Sequence, residues 1–306
     1  MPYKIVFMGT PKFSVPMLEA LAKSSYKVSC VYTQSPKKSN RGQKLNLSPI
    51  QKYAESLKLN IRNPENLNTE EEFKFFKTID PDIVFVVAYG QLISKKFLDI
   101  PKKGFVNIHA SLLPKWRGAA PIQRAIMNSD TETGISIMKI TEKLDSGPVT
   151  KQIKIKINDS VTADEVSNNL SQIGAENIVE AIDNVFNGKS KFIEQNHKIA
   201  SYAKKIKKNE AKIKWNENAK NILAKINGLN PSPGAWFMYK NTRYKIWKAL
   251  ISEKKGSPGT ILDNNFIIGC GDKSIKITEI QKEGKNKLLL KDFLLGMNFK
   301  TGNIVE

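Results

Sequence analysis

Cysteine is scarce in this 306-residue chain, which holds only Cys30 and Cys270. Two cysteines that far apart build neither a disulfide framework nor a CxxC metal site. No apolar run approaches the roughly 18–20 residues that cross a bilayer. The opening MPYKIVFMGTPKF reads as a strand running into a turn, not as a basic region followed by a long apolar one. Secreted scaffolds, membrane spanners and thiolate zinc proteins are therefore disfavoured, and a cytoplasmic location, or an equivalent bacterial or organellar interior, is expected. The turn after the first strand, Met8-Gly9-Thr10-Pro11-Lys12, lacks GxGxxG, and neither GxxxxGK[ST] nor HExxH occurs. Dinucleotide-dependent oxidoreductases, P-loop NTPases and zincins are disfavoured in turn.

Acidic residues are also under-represented. There are 49 Lys+Arg against 29 Asp+Glu, a formal net charge of +20. Such a balance favours polyanions as partners, because cations near phosphates release counterions. Yet only five of the basic residues are Arg (Arg41, Arg62, Arg117, Arg124 and Arg243). Lys and Asn abundance of this kind also follows from an AT-rich coding bias, so charge alone does not decide. Its distribution says more. Residues 207–306 carry a net +10, as much as the 206 residues before them.

With 40% hydrophobic and 25% charged residues the chain is expected to fold, as one large domain or two. Its first half alternates strand and helix signals. Strands are expected at 3–8, 27–33, 82–88 and 104–109, with helices at 14–24, 49–58, 69–78 and 118–128. This order implies right-handed βαβ units and an open, mostly parallel, Rossmann-like α/β sheet. The continuous apolar run DIVFVVA suits a central strand covered on both faces. Residues 133–140 and 149–157 alternate and suggest half-exposed, antiparallel strands closing that sheet. A long amphipathic helix spans 162–187. Residues 198–214 carry seven Lys and one Glu and read as a basic linker. After a helix at 216–227, short strands at 234–239, 243–250, 259–262, 266–270 and 274–281 suggest a small barrel. The expected division is 1–197, 198–214 and 215–306.

Of the two histidines, His197 lies among polar neighbours and reads as a solvated loop residue. His109 closes a central strand, where open α/β sheets bind ligands. Asn107, two residues earlier, points to the same face. A carboxylate to orient such a histidine is offered by Asp145, in Leu144-Asp145-Ser146-Gly147, although Asp-Ser-Gly is also ordinary turn chemistry. Residues 34–48 form a long polar segment with Lys37, Lys38, Arg41 and Lys44 and no acidic residue. Connections of that length are often functional or disordered, and a solvated loop accounts for the composition equally well.

The run from Asn107 through His109, Ser111-Leu112-Leu113-Pro114, Arg117-Gly118 and Pro121, followed by Asp145-Ser146-Gly147, resembles the folate-dependent formyltransferases. The resemblance extends from Ile5 to about Asp292. It includes Gly9-Thr10-Pro11, Arg41-Gly42, Val87-Ala88-Tyr89-Gly90, Tyr202-Ala203-Lys204-Lys205 and Pro233-Gly234-Ala235-Trp236. These features are most similar to members that act on methionyl initiator tRNA. Lys12 and Ser232 depart from the usual pattern, which often has Asp and an aromatic there.

The resemblance implies a formyltransferase fold followed by an OB-like, tRNA-binding domain. It implies 10-formyltetrahydrofolate as the formyl donor, no metal, and the α-amino group of methionyl initiator tRNA as acceptor. Asn107, His109 and Asp145 would be catalytic. Ser111, Leu112, Leu113 and Pro114, with Tyr89 and Gly90, would line the folate site. Lys37, Lys38, Arg41 and Lys44 would meet the acceptor end of the tRNA, and Lys204, Lys205, Lys207 and Lys208 its backbone. A monomer without membrane contact is expected. Two alternatives stay open: a small amine such as glycinamide ribonucleotide or an amino sugar nucleotide as acceptor, and a non-catalytic nucleic-acid-binding protein on the same fold. The first does not call for the basic segment, and the intact trio argues against the second.

Overall fold

The computed structural model describes residues 3–39, 44–296 and 299–306. In chain order the elements begin with β1 (Lys4–Gly9), α1 (Val15–Lys23), β2 (Lys27–Tyr32), β3 (Lys37–Ser39), β4 (Lys44–Asn46), α2 (Pro49–Ser56) and β5 (Ile61–Arg62). They continue with α3 (Glu70–Ile79), β6 (Ile83–Val87), α4 (Lys95–Leu98), β7 (Phe105–His109), β8 (Arg117–Gly118) and α5 (Pro121–Met127). β9 (Glu132–Lys139), β10 (Val149–Lys156), α6 (Ala163–Phe186) and β11 (Tyr202–Ala203) follow. The remainder holds α7 (Ala219–Gly228), β12 (Trp236–Tyr239), β13 (Thr242–Ser252), β14 (Ile267–Gly269), β15 (Ser274–Lys282), β16 (Lys287–Leu289) and α8 (Leu290–Leu295).

Seven strands form one sheet in the order β10-β9-β7-β6-β1-β2-β5. The pairs β1–β2, β1–β6, β2–β5 and β6–β7 are parallel, and β9 runs antiparallel to β7. β6 is buried at every residue, as its unbroken apolar run requires. α2 and α3 start where local chemistry caps them. Ser48 Oγ accepts from Gln51 N at 2.9 Å ahead of Pro49, and Thr69 caps α3, whose first turn holds Glu70, Glu71 and Glu72. β10 shows the expected half-exposed alternation. β9 does not: residues 133–138 are all buried, because it lies inside the sheet between β7 and β10. The chain passes from β1 to β2 on one side and returns to β6 on the other. The strand order thus reverses between β1 and β6, which opens a crevice at their carboxyl ends.

The expected loop at 34–48 contains the antiparallel hairpin β3–β4, with Lys37 opposite Asn46, Lys38 opposite Leu45 and Ser39 opposite Lys44. Arg41 lies outside the described residues.

The chain packs as two compact units, and their limits differ from the division expected at 197 and 215. One unit comprises 1–119, 134–155 and 167–203; the other comprises 120–133, 156–166 and 204–306. Residues 120–133 join the second because α5 packs closely on α7. A Cβ on Gly228 would meet Met127 Cγ at 2.6 Å and the Gln123 carbonyl at 3.0 Å. The stretch expected as a linker is divided as well. Tyr202 and Ala203 pair in parallel with Arg117 and Gly118, while Ala211 and Ile213 are buried in the second core.

In the second unit β12, β13, β15 and β14 neighbour one another, and β16 adds to β15. Short bridges close the ring. Ile261 pairs with Ile268, Val305 N donates to Gly259 O at 2.8 Å, and Met238 and Glu306 exchange backbone hydrogen bonds at 2.7 and 2.8 Å. Closure removes the free edge of β12. The segment expected as a strand at 259–262 contributes these bridges only. The barrel interior holds Phe237, Tyr244, Phe266, Phe293 and Phe299 with ring centroids 4.4–6.3 Å apart.

Candidate active site

Asn107 and His109 end β7 and share one face, at 9% and 7% exposure. Pairing fixes their height: Asn107 lies opposite Val86 on β6 and Met138 on β9, and His109 lies opposite Ser136. The chain then leaves the sheet through residues 110–118, which polar side chains hold. Ser136 Oγ donates to Ser111 O at 2.6 Å and accepts from Leu113 N at 3.0 Å. Gln152 Nε2 reaches Leu113 O and Ser136 Oγ, both at 2.8 Å. Ser111 Oγ donates to Lys115 O at 2.6 Å. Trp116, with φ +61°, turns the strand-end loop back, and Ser201 Oγ accepts from its backbone N–H at 2.9 Å. The Trp116 carbonyl thereby comes within 3.0 Å of His109 Nε2.

Asp145 arrives from the turn between β9 and β10, in the left-handed region at φ +45°. Its Oδ2 accepts from Gly118 N at 2.8 Å and stands 3.7 Å from His109 Nδ1. Gly118 suits that role because a Cβ there would lie 2.9 Å from Ala203 O, and its φ of +117° disfavours any other residue. A carbonyl oxygen only accepts, so His109 Nε2 carries the proton of the 3.0 Å contact. Nδ1 then faces a carboxylate oxygen. Two acceptors face each other there unless a proton or a bridging donor lies between them, and 3.7 Å is longer than a direct hydrogen bond. The pair is therefore arranged to hold a proton or a donor. The Asn107 amide has no hydrogen-bond partner among the described residues, which leaves its N–H donors for a ligand oxygen.

The other expected site residues divide. Ser111–Pro114 form the held loop just described. Tyr89 and Gly90 follow β6 at the crevice where strand order reverses, but the Tyr89 ring does not face it. At 1% exposure the ring lies in the core with Val6, Met8, Tyr32 and Phe105, and burial pushes its phenol up. Only its backbone faces the crevice side: Tyr89 O accepts from Thr10 Oγ1 at 2.8 Å and from Gln34 Nε2 at 3.1 Å, and Gly90 O accepts from Gln34 Nε2 at 2.9 Å. Lys37 Nζ donates to Gln34 Oε1 at 2.7 Å. Lys38 and Lys44 take part in the hairpin backbone, and Arg41 lies outside the described residues. Lys204, Lys205, Lys207 and Lys208 are all exposed and belong to the second unit.

Sequence reasoning missed Gln195, which is 8% exposed and bonded to the backbone of the Asp145 turn. His197 is exposed, as its polar neighbours suggest, and its Nδ1 accepts from Arg117 Nη2 at 2.8 Å. A single Gln in a polar stretch carries no local signal; only the tertiary fold brings it to residue 145. Both cysteines are buried, and burial pushes each thiol up to about 12, which leaves them unreactive. Among the described residues no group of three or more His, Cys, Asp or Glu is placed to hold a metal.

Residues 3–182 match the family described as Formyl transferase, and residues 205–298 match Formyl transferase, C-terminal domain. The methionyl-tRNA formyltransferase of Pelagibacter ubique is 54% identical over 305 residues, covering 99% of this chain and 98% of that protein. That of Bradyrhizobium diazoefficiens is 41% identical, covering 99% of both. Among solved structures, the sugar 3N-formyl transferase WlaRD, crystallised with dTDP and 5-N-formyl-THF, superposes with a TM-score of 0.67. It is 21% identical and covers 94% of this chain and 100% of that one, which is a likeness of fold. Since both domains match in order and the similarity to the two bacterial enzymes runs the length of all three chains, this chain belongs to the methionyl-tRNA formyltransferase family.

Proposed function

We propose that the chain transfers the formyl group of 10-formyltetrahydrofolate to the α-amino group of methionyl initiator tRNA, with Asn107, His109 and Asp145 as its catalytic residues. The observation that carries the reading is the convergence at the end of β7. A buried amide without a protein acceptor, a buried imidazole and a carboxylate held by Gly118 N meet there. The chemistry asks for those groups. An amine attacks the formyl carbon, and negative charge develops on the formyl oxygen. A preorganised N–H donor such as the Asn107 amide stabilises that charge by about 3–4 kcal/mol in comparable sites. The attacking nitrogen sheds a proton and the folate nitrogen takes one up as it leaves. The pair His109–Asp145, 3.7 Å apart, serves that relay directly or through water. The formyl group is already activated on the folate nitrogen, so the reaction closes without a covalent enzyme intermediate.

The crevice between β1 and β6, bordered by the backbone at 88–90, and the loop 111–114 are the parts of the first unit suited to hold the folate. The hairpin β3–β4, with Lys37, Lys38, Arg41 and Lys44, is assigned to the acceptor end of the tRNA. Lys204, Lys205, Lys207 and Lys208 and the C-terminal barrel are assigned to its backbone. The enzyme acts in this reading as a cytoplasmic monomer, and light scattering at 34.4 kDa checks the oligomeric state. No described helix is long and apolar enough to cross a membrane. The direct test offers the donor with charged initiator tRNA, charged elongator tRNA, glycinamide ribonucleotide and an amino sugar nucleotide. Formylation of the initiator alone, or by far the fastest, is expected. Preferential formylation of a small amine would replace the acceptor in this reading.

A further inference from the structure

Asp145 sits in a turn that local bonds hold through its neighbour: Ser146 Oγ donates to Lys143 O at 3.0 Å, and Ser146 N donates to the same carbonyl at 3.4 Å. The φ of Asp145 is +45°, a left-handed conformation that Asp adopts more readily than most residues with a Cβ, and it is followed by Ser146-Gly147. The carbonyls on either side of Ser146 take a further restraint from elsewhere in the fold. The Gln195 side chain provides it. Its Nε2 donates to Asp145 O at 2.9 Å and to Gly147 O at 2.7 Å, so one amide group spans the turn on both sides of Ser146. Its Oε1 accepts from Arg117 Nη2 at 2.7 Å and from Arg117 Nε at 3.2 Å. Arg117 is 4% exposed and has no carboxylate partner among the described residues. Its Nη2 also donates to His197 Nδ1 at 2.8 Å.

The chemistry of these groups leaves one orientation. The two ends of a carboxamide are nearly the same size, and packing alone does not distinguish them. A guanidinium only donates and two backbone carbonyls only accept. Arg117 thus compels the oxygen of Gln195 to face it and the NH₂ to face the turn. Arg117 is also the residue whose successor, Gly118, donates to the Asp145 carboxylate. One short segment accordingly grips Asp145 twice: through Gly118 N at the carboxylate, and through the Arg117 side chain and Gln195 at the backbone. A buried guanidinium without a carboxylate is a costly device for stability alone. Its use here is directional.

We propose that Gln195, oriented by the buried Arg117, is a positioning residue that holds the Asp145 carboxylate in register with His109. The proposal rests on the catalytic role assigned above to Asp145. Gln195→Glu separates positioning from packing. Glu has the shape of Gln and gives Arg117 a better acceptor, but its carboxylate presents only acceptors to the carbonyls of Asp145 and Gly147. Arg117→Met removes the orienting donor and leaves the Gln195 amide free to rotate, which covers the case in which Gln195→Glu does not fold.

The experiment measures kcat and KM for both substrates and the thermal midpoint in the full-length enzyme. It uses Gln195→Glu, Arg117→Met, Asp145→Asn and the two doubles with Asp145→Asn. A misplaced group of this kind costs about ten- to a hundred-fold in kcat. That loss is expected in Gln195→Glu, with both KM values within about two-fold, and a smaller loss is expected in Arg117→Met. In the Asp145→Asn background each further substitution is expected to change kcat by less than about two-fold, since residues acting through one group are not additive. Wild-type kcat in a folded Gln195→Glu enzyme would overturn the proposal, as would losses that multiply in full with that of Asp145→Asn. Wild-type kcat in Asp145→Asn itself would instead remove the catalytic role of Asp145, and the positioning proposal with it.

Discussion

Around Asp145 the chain is held by buried polar groups; in the C-terminal barrel it is held by rings. The loop 110–118 and the turn at 145–147 depend on Ser111, Ser136, Arg117 and Gln195, each of whose bonds fixes a direction. The barrel interior packs Phe237 on Tyr244, Trp215 and Phe266, where attraction depends on volume and little on direction. The difference matches the tasks assigned to the two units. Stabilising charge on one oxygen needs donors placed to a fraction of an ångström. Presenting lysines to a phosphate backbone needs a rigid body with a basic exterior. Damage to the first region should therefore abolish chemistry and spare stability. Damage to the barrel core should lower stability, and damage to its surface should weaken only the hold on the acceptor.

The largest effect is expected from His109→Ala. Loss of an acid–base group typically costs about 10²–10⁴-fold, and formyl transfer is expected to fall by that much with a thermal midpoint close to wild type. Steady-state kinetics and a melting curve together check it; a destabilised but active variant would erase the contrast between the two regions. Phe237→Ala is expected to do the reverse. Its ring is fully buried, and removing such a ring costs about 3–5 kcal/mol of stability. Denaturant unfolding measures that cost, and kcat per folded molecule below the melting range is expected to stay within about two-fold. The smallest effect belongs to replacing Lys204, Lys205, Lys207 and Lys208 together by Ala. All four are exposed. Every lysine that no longer neutralises a phosphate flattens the plot of log affinity against log salt by a slope of about 1. A KM for charged tRNA raised by about ten-fold, a flatter salt dependence and an unchanged kcat are expected from initial rates at several salt concentrations. An unchanged salt dependence would detach these lysines from the tRNA.

The same contrast explains what the sequence made legible. β6, α3 and β10 were readable because burial on two faces, an N-cap with an acidic first turn, and alternation all leave local periodicities. The pair Asn107 and His109 was readable because both lie on one strand, two residues apart. Interactions made across the chain were not. Gln195 lies 50 positions from the turn that it braces. The Tyr89 ring sits in the core although its neighbours border the crevice, because the backbone at 88–90 turns with positive φ at Ala88 and Gly90. The long basic stretch 198–214 looked like a linker because its apolar content is small. Its buried residues, Ala203, Ala211 and Ile213, are too few and too unevenly spaced to give a pattern, although they anchor it to the folded units. The pairing of β3 with β4 escaped for a related reason: the sequence there is polar and Lys-rich, and only backbone pairing defines it.

The most direct test of the account is a single-turnover measurement on Asp145→Ala, with the formyl donor and charged initiator tRNA both saturating, beside the tRNA dissociation constant of the same variant. A rate of formyl transfer lower by about 10²–10⁴-fold, with a dissociation constant within about two-fold of wild type, is the predicted result. Wild-type turnover in Asp145→Ala would contradict it and place the chemistry somewhere other than the end of β7.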